Sequence, residues 1–450
     1  MKKVVFFIFF SCILNANAQC WKLVEGAFQH SIGLTDDGKL WGWGYNQYGQ
    51  IGSPTGTVNN EPIQIGTATT WDTFSSNYSH TLAIRTAGGL WAFGRNNVGL
   101  LGNGTTTNSA TPIQIGTATW KAVAAGTDHS LGIKTNGTLW GWGENSFGEV
   151  GDNTTAIRLS PVLVDSGDWK QIDAGLRRSV GIKTNGTLWQ WGQNTPSGNS
   201  SPITSCLLPT QIGTGNNWKE VSVNYEHFLA VKNDGTLWAW DFNYLGALGN
   251  GNQITQYNPI QIGTDTNWKQ ASAGRYNSLA IKTNGTLWAW GNNEEGQFGN
   301  GTNTSSLVPV QVGSLTNWKF ISASLYQSLS IKNSGNMWSW GSNGSGFLGD
   351  GTNTSSNIPV FIACPTVLSN LEYEKSNLKI YPNPVDDFLN IENIDAITIK
   401  KIQVLDGLGR VILEKTNDFS STDMTSFSKG VYFLTIKTTF DLFTYKFIKT

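Results

Sequence analysis

Tryptophan recurs along most of this chain at an almost constant interval. A lead tryptophan is followed by the next one after 49 or 50 residues, and a second tryptophan lies 20 residues after each lead. Two positions further on, six repeats carry a third tryptophan and the second repeat carries Phe93. A period near 50 with strand-like content is typical of a propeller or a solenoid. The seven lead residues are Trp21, Trp71, Trp120, Trp169, Trp218, Trp268 and Trp318.

Each repeat is predicted to contain four strands. In the third repeat the first strand starts at Trp120, the second contains residues 131–133 and the third contains residues 139–142. An Asn-Gly or Asp-Gly pair separates the second and third strands in repeats three to six, and it supplies the positive φ of a tight hairpin. The fourth strand follows a proline, as at Pro112. Large and small residues alternate along the second strand, which predicts that both of its faces are buried.

The composition favours an all-β fold with many turns. Charged residues make up only 14% of the chain, whereas it contains 52 glycines and 39% hydrophobic residues. That apolar content can build a large core, which argues against disorder. The formal net charge is -1, and a nucleic-acid binder needs a basic footprint. We therefore expect no nucleic-acid partner.

The third repeat carries the residues that identify a repeat family. Gly126 to Leu131 and, after the hairpin, Gly137 to Asn145 resemble the regulator of chromosome condensation repeat. The pattern recurs in all seven repeats, and the diagnostic residues of kelch and WD-repeat propellers are absent. The resemblance implies a seven-bladed β-propeller. It also implies a choice of roles, because some members are nucleotide exchange factors on chromatin and secreted bacterial members include β-lactamase inhibitor proteins that bind through one propeller face.

The N-terminus has the organisation of an export signal. Lys2 and Lys3 precede the apolar stretch of residues 4–14, and residues 16–18 form a small-x-small site, so we predict cleavage after Ala18. A lipoprotein signal at Cys12, which Ser11 precedes, is the alternative. The apolar stretch is too short to span a bilayer, and no later stretch is long enough, so we expect no transmembrane segment.

A different domain follows the last repeat, because tryptophan disappears after Trp340. Several short strands with turn signals predict a small, immunoglobulin-like β-sandwich. Its distinctive residues, beside the turn at 406–410, are Tyr381, Pro382, Asn383, Pro384, Gly430, Tyr432, Lys446 and Lys449. In their order and terminal position they resemble the type A C-terminal sorting domain of the type IX secretion system.

That resemblance implies a Gram-negative host of the Bacteroidetes type and contact with the type IX secretion machinery. It also implies removal of the domain or surface attachment by a sortase-like peptidase. An ordinary adhesive domain is the alternative. The predicted organisation is a signal peptide at residues 1–18, a propeller at 19–364, a linker at 365–376 and a sorting domain at 377–450.

The cysteines predict a ring closed by a disulfide. Cys20 directly precedes the first lead tryptophan, and Cys364 occupies the place where other repeats join their successor. A closed ring would bring the two within reach of disulfide geometry. The bond would contribute about 2–5 kcal/mol of stability. Two unpaired buried thiols are the alternative, and Cys206 is expected to be a buried thiol.

The titratable residues do not form a recognisable catalytic or metal motif. His30, His80, His129 and His227 each lie nine residues after a lead tryptophan, where the other repeats carry Arg178, Asn277 and Gln327. Such a position predicts a hydrogen bond at a strand start rather than catalysis or zinc binding. No histidine pair or Cys-x-x-Cys has metal-ligand spacing. We expect no catalytic residue, cofactor or metal, and we expect the tryptophans to form the core between blades.

One mouth of the ring is the predicted binding surface. In a unit of four antiparallel strands, the first connection joins strands one and two, and the third connection joins strands three and four. These two connections emerge on the same face. Their residues differ between repeats and are rich in Tyr, Phe and Arg, which suits a protein interface. Unconstrained loops are the alternative. The candidate partner-binding residues are Phe28, Tyr45, Tyr78, Arg95, Arg177, Tyr225, Phe242, Arg275, Tyr276 and Tyr326.

These expectations describe a secreted or cell-surface, non-catalytic binding propeller with an unknown protein or glycan partner. One alternative is a surface enzyme acting on glycan or peptide. A cluster of acids on the variable face would favour it, and none is evident in the sequence. The other alternative is a purely structural surface protein.

Overall fold

The structure is a computed structural model that describes residues 20–194, 204–365, 378–393, 398–406, 410–438 and 442–450. The predicted signal peptide, residues 366–376 of the predicted linker and turn residues 407–409 lie outside this range. The described residues form strands and turns, with a single 3-10 turn at Tyr244–Gly246 and no α-helix. No helix among them is long and apolar enough to cross a membrane.

Each repeat folds into four antiparallel strands that pair in chain order. Hairpins with positive-φ glycines, such as Gly137 at φ 84°, join the second strand to the third. The strands of the seven repeats are Trp21–Gly26 (β1), His30–Thr35 (β2), Leu40–Tyr45 (β3), Val58–Gln64 (β4), Trp71–Asn77 (β5), His80–Arg85 (β6), Gly89–Gly94 (β7), Ser109–Ala125 (β8), His129–Lys134 (β9), Leu139–Gly143 (β10), Arg158–Asp165 (β11), Trp169–Ala174 (β12), Arg178–Lys183 (β13), Leu188–Asn194 (β14), Thr204–Gln211 (β15), Trp218–Val223 (β16), His227–Lys232 (β17), Leu237–Asp241 (β18), Gln256–Gln261 (β19), Trp268–Ala273 (β20), Asn277–Lys282 (β21), Leu287–Gly291 (β22), Ser306–Val312 (β23), Trp318–Ala323 (β24), Gln327–Lys332 (β25), Met337–Gly341 (β26) and Ser356–Ile362 (β27).

The second and third repeats share one strand, which the sequence analysis does not predict. The 17 residues of β8 pair with β7 up to Thr119 and with β9 from Trp120 onwards, so the two repeats form one seven-stranded sheet. The prediction that the fourth strand follows a proline was wrong in detail, since Pro62 lies within β4 and Pro112 within β8. Both prolines lie in edge segments, where a missing N–H is tolerated.

Tryptophans fill the space between neighbouring repeats. The lead tryptophans are at most 4% exposed, and those at the third position are at most 1% exposed. Each core cluster joins two repeats, as where Trp268 and Trp290 pack with Leu229 and Leu237 of the preceding repeat. The expectation that all tryptophans are core was too broad, because the second-position residues Trp91, Trp140, Trp189, Trp238 and Trp288 are partly exposed.

The last repeat packs against the first. Cys20 and Cys364 form a disulfide with a Cα–Cα distance of 5.9 Å, which confirms the predicted pairing. The backbone N–H of Trp21 donates to the carbonyl of Gly335 at 3.0 Å. Cys206 lies on β15 and is partly buried against the core of its repeat, so the expectation of a buried thiol was correct only in part.

The histidine position is a hydrogen-bonding position at a strand start in six repeats, as predicted, whereas the buried side chain of Asn277 in the sixth repeat has no hydrogen-bond partner among the described residues. The Nε2 of His129 hydrogen-bonds to the Oγ of Ser179 in the next repeat at 2.8 Å, and His80 and His227 make equivalent bonds to Ser130 and Ser278. His30 instead bonds to the Oγ of Ser76 on β5 at 2.9 Å, and Thr81 occupies the place of that serine in the second repeat. Gln327 donates to Ser31 Oγ at 2.8 Å, so the same bond spans the contact between the last and first repeats. Burial lowers the pKa of His30 to about 4 and that of the other three histidines to about 3, so all four are neutral.

The C-terminal residues form two sheets around one apolar core. Strand order is β28-β29-β32 in one sheet and β31-β30-β33-β34 in the other. Val404, Leu434 and Phe447 are among the fully buried residues that the two sheets share. The short strand β32 is absent from the sequence prediction. The strands are Leu378–Tyr381 (β28), Phe388–Asn393 (β29), Ile399–Leu405 (β30), Val411–Lys415 (β31), Ser421–Asp423 (β32), Gly430–Thr438 (β33) and Leu442–Lys449 (β34).

Candidate functional site

Six of the ten candidate partner-binding residues form one connected group at the ends of the inner strands. The rings of Phe28 and Tyr78 stack with centroids 4.6 Å apart, and Phe28 lies 6.2 Å from Tyr326. Neighbouring first connections therefore touch around the mouth. We call this group the aromatic arc, and its members are Phe28, Tyr78, Tyr225, Arg275, Tyr276 and Tyr326.

Arg275 holds the arc together. Its guanidinium lies 4.7 Å from the ring centroids of both Tyr225 and Tyr276, within cation–π range. The same group donates a hydrogen bond to the hydroxyl of Tyr326 at 3.0 Å. Burial raises the pKa of Tyr225, so its hydroxyl remains protonated at neutral pH. All six side chains are partly buried, which gives a surface with restrained rotamers and open ring edges.

A charged group lies elsewhere on the same face. Arg95 forms an ion pair with Asp128 at 3.1 Å, and the charges of Glu144 and Arg177 also interact with the Asp128 carboxyl. Burial raises the pKa of Asp128, and Arg95 opposes that rise. We call Arg95, Asp128, Glu144 and Arg177 the charged arc. This acidic pair is not evident in the sequence, because Asp128 and Glu144 belong to different connections of the third repeat.

Two loop residues of this face adopt the left-handed conformation that favours glycine. Arg177 has φ 56°, and Gln29, at the same position of the first repeat, has φ 60°. Such conformations cost about 1–3 kcal/mol each and cluster at functional sites. Arg177 is exposed, with its guanidinium 4.6 Å from the ring centroid of Phe147. The mouth therefore contains backbone strain as well as unlike side chains.

Tyr45 and Phe242 do not join the aromatic arc in the described contacts. The hydroxyl of Tyr45 donates to Gln47 within its own loop. The ring of Phe242 lies 5.3 Å from the guanidinium of Arg178, which belongs to the contact between the fourth and fifth repeats. Both side chains lie in connections of the predicted face, but Tyr45 bonds within its own loop and Phe242 contacts the preceding repeat.

Sequence reasoning missed one exposed member of this surface. Tyr244 is 57% exposed, and its ring lies 5.0 Å from that of Tyr276, so it extends the arc outward. Tyr244 lies two residues after Phe242 in the loop between strands β18 and β19, beyond the first loop position on which the prediction rests. A comparison of the whole third connection would have found it.

A buried asparagine organises each third connection that the structure describes completely. Asn96 Oδ1 accepts from the N–H of Leu101 at 2.9 Å, and its Nδ2 donates to the carbonyls of Thr105 and Thr107 at 3.0 Å each. An asparagine stands 25 residues after every lead tryptophan, so the signal was present in the sequence. This residue fixes the loop backbone and leaves its outer side chains free to differ. The asparagines with these bonds are Asn46, Asn96, Asn145, Asn243, Asn293 and Asn343.

Beneath the mouth, the inner strands enclose a polar cavity of about 240 Å³. Burial raises the pKa of Glu25 to about 8 and the pKa values of Asp173 and Glu220 to about 7. Each carboxyl accepts a backbone N–H of the next repeat, at 2.6–2.8 Å. Ser272 and Ser322 accept such N–H groups with their hydroxyls. These acids therefore satisfy inner-strand donors, and no group of three or more His, Cys, Asp or Glu among the described residues could hold a metal.

The predicted sorting residues surround the end of the last strand. Asn383 Nδ2 donates to the carbonyl of Lys446 at 3.2 Å, and Asn383 Oδ1 accepts the N–H of Ile448 at 3.0 Å. The Tyr432 hydroxyl donates to the carbonyl of Ser428 at 2.8 Å. Tyr381 closes β28, Pro382 and Pro384 flank Asn383, Gly430 opens β33, and Lys449 ends β34. The proline-rich turn is thus tied to the C-terminal strand.

Comparisons with known proteins agree with both parts of this architecture. A family model described as the RCC1-like domain matches residues 112–381, more than half of the chain. Models of the regulator of chromosome condensation (RCC1) repeat match residues 26–50 and 87–133. A model of the secretion system C-terminal sorting domain matches residues 379–450.

Solved structures share the propeller fold at low sequence identity. Human WBSCR16 is 20% identical, with 73% of this chain and 94% of that chain covered and a TM-score of 0.65. Prp20p from Saccharomyces cerevisiae is 18% identical, with coverage of 82% and 92% and a TM-score of 0.64. The ultraviolet-B receptor UVR8 of Arabidopsis thaliana is 40% identical over 42 residues, which span 9% of this chain and 10% of the receptor.

Proposed function

The chain belongs to the RCC1-like family, and from this premise we propose that it is an exported, non-catalytic binding propeller of seven blades. The aromatic arc is the proposed contact surface for its partner. The observation that carries the proposal is the continuous contact of five aromatic rings and one arginine across five repeats.

Ring closure supports the proposal of seven blades. The contact between the seventh and first repeats has the same kinds of hydrogen bond as the other contacts. Ser322 Oγ accepts the inner-strand N–H of Gly26, and Gln327, in the histidine position, donates to Ser31 Oγ. The disulfide adds a covalent link at the same place. For the C-terminal domain we propose an immunoglobulin-like sandwich, which its two sheets and shared core support.

The type IX sorting domain supports secretion or display on the surface of a bacterium of the Bacteroidetes type. It also implies contact with the secretion machinery. We propose that residues 1–18 direct the chain to the periplasm and that a sortase-like peptidase then removes the domain or uses it for attachment. Export makes a role on chromatin implausible.

The chemistry of the aromatic arc favours a protein partner. Tyrosine and arginine are enriched among residues that dominate binding energy, because they offer large, rigid and amphipathic contact area. Arg275 fixes several of these rings before binding, which reduces the entropy lost on association. Yeast RCC1 (Prp20), whose fold is similar, was solved with the protein Kap60 bound, so a protein of this fold has a protein partner.

We propose no catalytic role for the acids of the mouth. Glu149 is buried, its pKa is raised to about 7 by burial, and it lies near Glu144. However, Glu149 Oε2 accepts the N–H of Phe147 just as Gln50 and Gln297 accept the equivalent N–H in their repeats. An uncharged amide performs the same task, so a structural role accounts for the position.

The test compares three forms of the full chain as bait for host-cell surface extract and for secretions of neighbouring organisms. The arc variant carries Tyr225→Ser and Tyr276→Ser. The control variant carries Leu163→Ser and Leu208→Ser on outer strands, where these side chains are 50% and 46% exposed. Near-ultraviolet circular dichroism verifies equal folding.

We expect a captured protein that the wild type and the control variant retain and that the arc variant loses by at least about tenfold. Equal capture by all three forms would contradict the assignment of the surface. Capture of glycan alone would contradict the proposed partner class.

A further inference from the structure

Six repeats clamp a cationic side chain between two indole rings. The cation stands at the end of the second strand and lies over the lead tryptophan and the tryptophan 20 residues later. Lys134 Nζ, for example, lies 3.3 Å from the centroid of Trp140 and 5.3 Å from that of Trp120. These clamps lie where the second connections begin, on the face opposite the aromatic arc. The clamped residues are Arg85, Lys134, Lys183, Lys232, Lys282 and Lys332.

A short segment, here called a link, joins the fourth strand of each repeat to the lead tryptophan of the next repeat. Two of the clamped lysines pair with a carboxylate from the link that precedes their repeat. Lys183 lies 2.7 Å from Asp165, and Lys282 lies 2.7 Å from Asp265. Asp165 also accepts a hydrogen bond from the indole nitrogen of Trp169 at 2.9 Å. These two links show where a carboxylate sits when it meets a clamped cation.

The first link lacks both carboxylates, as do the links before repeats three, five and seven, but the cation that it faces is the one arginine among the six. Asp165 and Asp265 stand 45 and 47 residues after the lead tryptophan of their own repeats, and these positions of the first repeat hold Gly66 and Ala68. Among the described residues no carboxylate lies within ion-pair distance of Arg85, and its buried Nε has no hydrogen-bond partner. The guanidinium nevertheless remains clamped, 3.9 Å from the centroid of Trp91 and 4.7 Å from that of Trp71.

A cleft of about 380 Å³ lies at this place. That volume is at the lower end of the range for small-molecule sites. The cleft is lined by the Arg85 guanidinium, two indole rings and small or apolar residues. It therefore presents one charged group in mainly apolar surroundings. Its lining includes Ile65, Gly66, Ala68, Trp71, Arg85, Trp91 and Pro112.

We propose that this cleft binds a carboxylate carried on a small ring, the chemistry of a uronic acid, at the position that Asp165 and Asp265 fill in their own links. A planar guanidinium suits a carboxylate because it can donate two parallel hydrogen bonds. The indoles hold Arg85 in place, so little side-chain freedom is lost on binding. The apolar wall fits a ring better than a bare inorganic anion. The site is independent of the aromatic arc and of the partner proposed for it.

The test titrates glucuronate into the full chain by isothermal titration calorimetry, with glucose and acetate as probes of the ring alone and the carboxylate alone. Arg85→Gln removes the cation. Ala68→Asp supplies an internal carboxylate at the position equivalent to Asp265, which should occupy the site and also raise the melting temperature. Lys134→Gln is the matched control, because it removes the equivalent cation of the next repeat.

We expect glucuronate to bind the wild type and the control equally and to bind both other variants at least tenfold more weakly. Glucose should not bind, and acetate should bind more weakly than glucuronate. Absence of glucuronate binding, or undiminished binding by Ala68→Asp, would overturn the site. If glucose bound as tightly as glucuronate, the proposed role of the carboxylate would be wrong. If acetate bound as tightly as glucuronate, the proposed role of the sugar ring would be wrong.

Discussion

Two neighbouring contacts between repeats are held by different chemistry. Between repeats three and four, neutral His129 hydrogen-bonds to Ser179 at 2.8 Å. Between repeats four and five, Arg178 takes the histidine position and pairs with Asp241 at 2.8 Å, with their side chains only 1% and 3% exposed. Phe228 stands where the serine would be and stacks on Trp240 with centroids 4.9 Å apart.

Asp241 itself occupies a position that is glycine in the other six repeats, and it has φ 78°. Three departures from the repeat pattern therefore occur together at one contact. At these two contacts different residue types satisfy the polar contact between repeats, whereas Asn277, in the histidine position of repeat six, has no side-chain hydrogen bond among the described residues. A buried charge is accepted where the next repeat supplies its counter-charge at hydrogen-bonding distance.

The largest effect is expected from breaking the charged contact. Arg178→Ala removes the cation paired with the buried Asp241 carboxylate, which should destabilise the fold by about 3–5 kcal/mol. Urea unfolding followed by tryptophan fluorescence measures the loss.

The matched control converts this contact to the common type with Arg178→His, Phe228→Ser and Asp241→Gly together. We expect its free energy of unfolding to lie within about 1–2 kcal/mol of the wild type, in the range of volume-changing core substitutions with the polar contact restored. A triple variant as unstable as Arg178→Ala would refute the interchangeability of the contacts.

The contact between repeats seven and one differs from the other six because a disulfide, not the chain, crosses it. Cys20→Ser with Cys364→Ser should cost about 2–5 kcal/mol. Hydrogen exchange should show the loss first in β1 and β24, the inner strands that meet there. Cys206→Ser is the control, and equal melting temperatures of all three proteins would show that the closing bond contributes nothing.

A smaller effect is expected from Glu149, whose charge the repeat pattern does not require. Burial raises the pKa of Glu149 to about 7 from 4.5, so the folded state binds its proton more tightly than the unfolded state does. The contribution of this group to stability is present below pH 4.5 and is lost as the pH rises to about 7.

Glu149→Gln introduces the amide that Gln50 and Gln297 supply in their own repeats. The variant should therefore be more stable than the wild type at pH 8 by about 1–3 kcal/mol and differ little from it at pH 4.5. Thermal unfolding at the two pH values gives the comparison. A variant that is less stable than the wild type at pH 8 would contradict the raised pKa.

The last effect concerns the neutral histidine contacts. The unfolded chain protonates these imidazoles below about pH 6.5, whereas folding keeps them neutral to about pH 3–4. Protonation thus favours the unfolded state, and stability falls as the pH drops below 6.5.

His129→Gln introduces the residue type that Gln327 provides in the last repeat, so the variant should retain the contact. It should also remove one titrating group from the pH dependence of the free energy of unfolding. Its stability should fall by about 1.4 kcal/mol less per pH unit between pH 6 and 4. Unfolding curves across this range measure the slope, and identical slopes would contradict the neutral, buried state of His129.

Much of the architecture was predictable because its signal is repeated. The period, the strand starts and the role of the histidine position follow from seven versions of one pattern, and the disulfide follows from the place of Cys20 and Cys364 in it. The pairing of Arg178 with Asp241 was not predictable, because it joins different positions of successive repeats. The aromatic arc was predicted as a face but not as a group, since shared orientation does not show that Phe28 touches Tyr78 while Tyr45 touches neither.

The central claim is that a partner binds at the mouth that carries the aromatic arc. Hydrogen–deuterium exchange of the full chain, with and without a captured partner fraction, tests it most directly. We predict slower exchange in the first connections at residues 26–29, 76–79, 224–226, 274–276 and 324–326. Protection confined to the outer strands β11, β15 and β23 would contradict the claim.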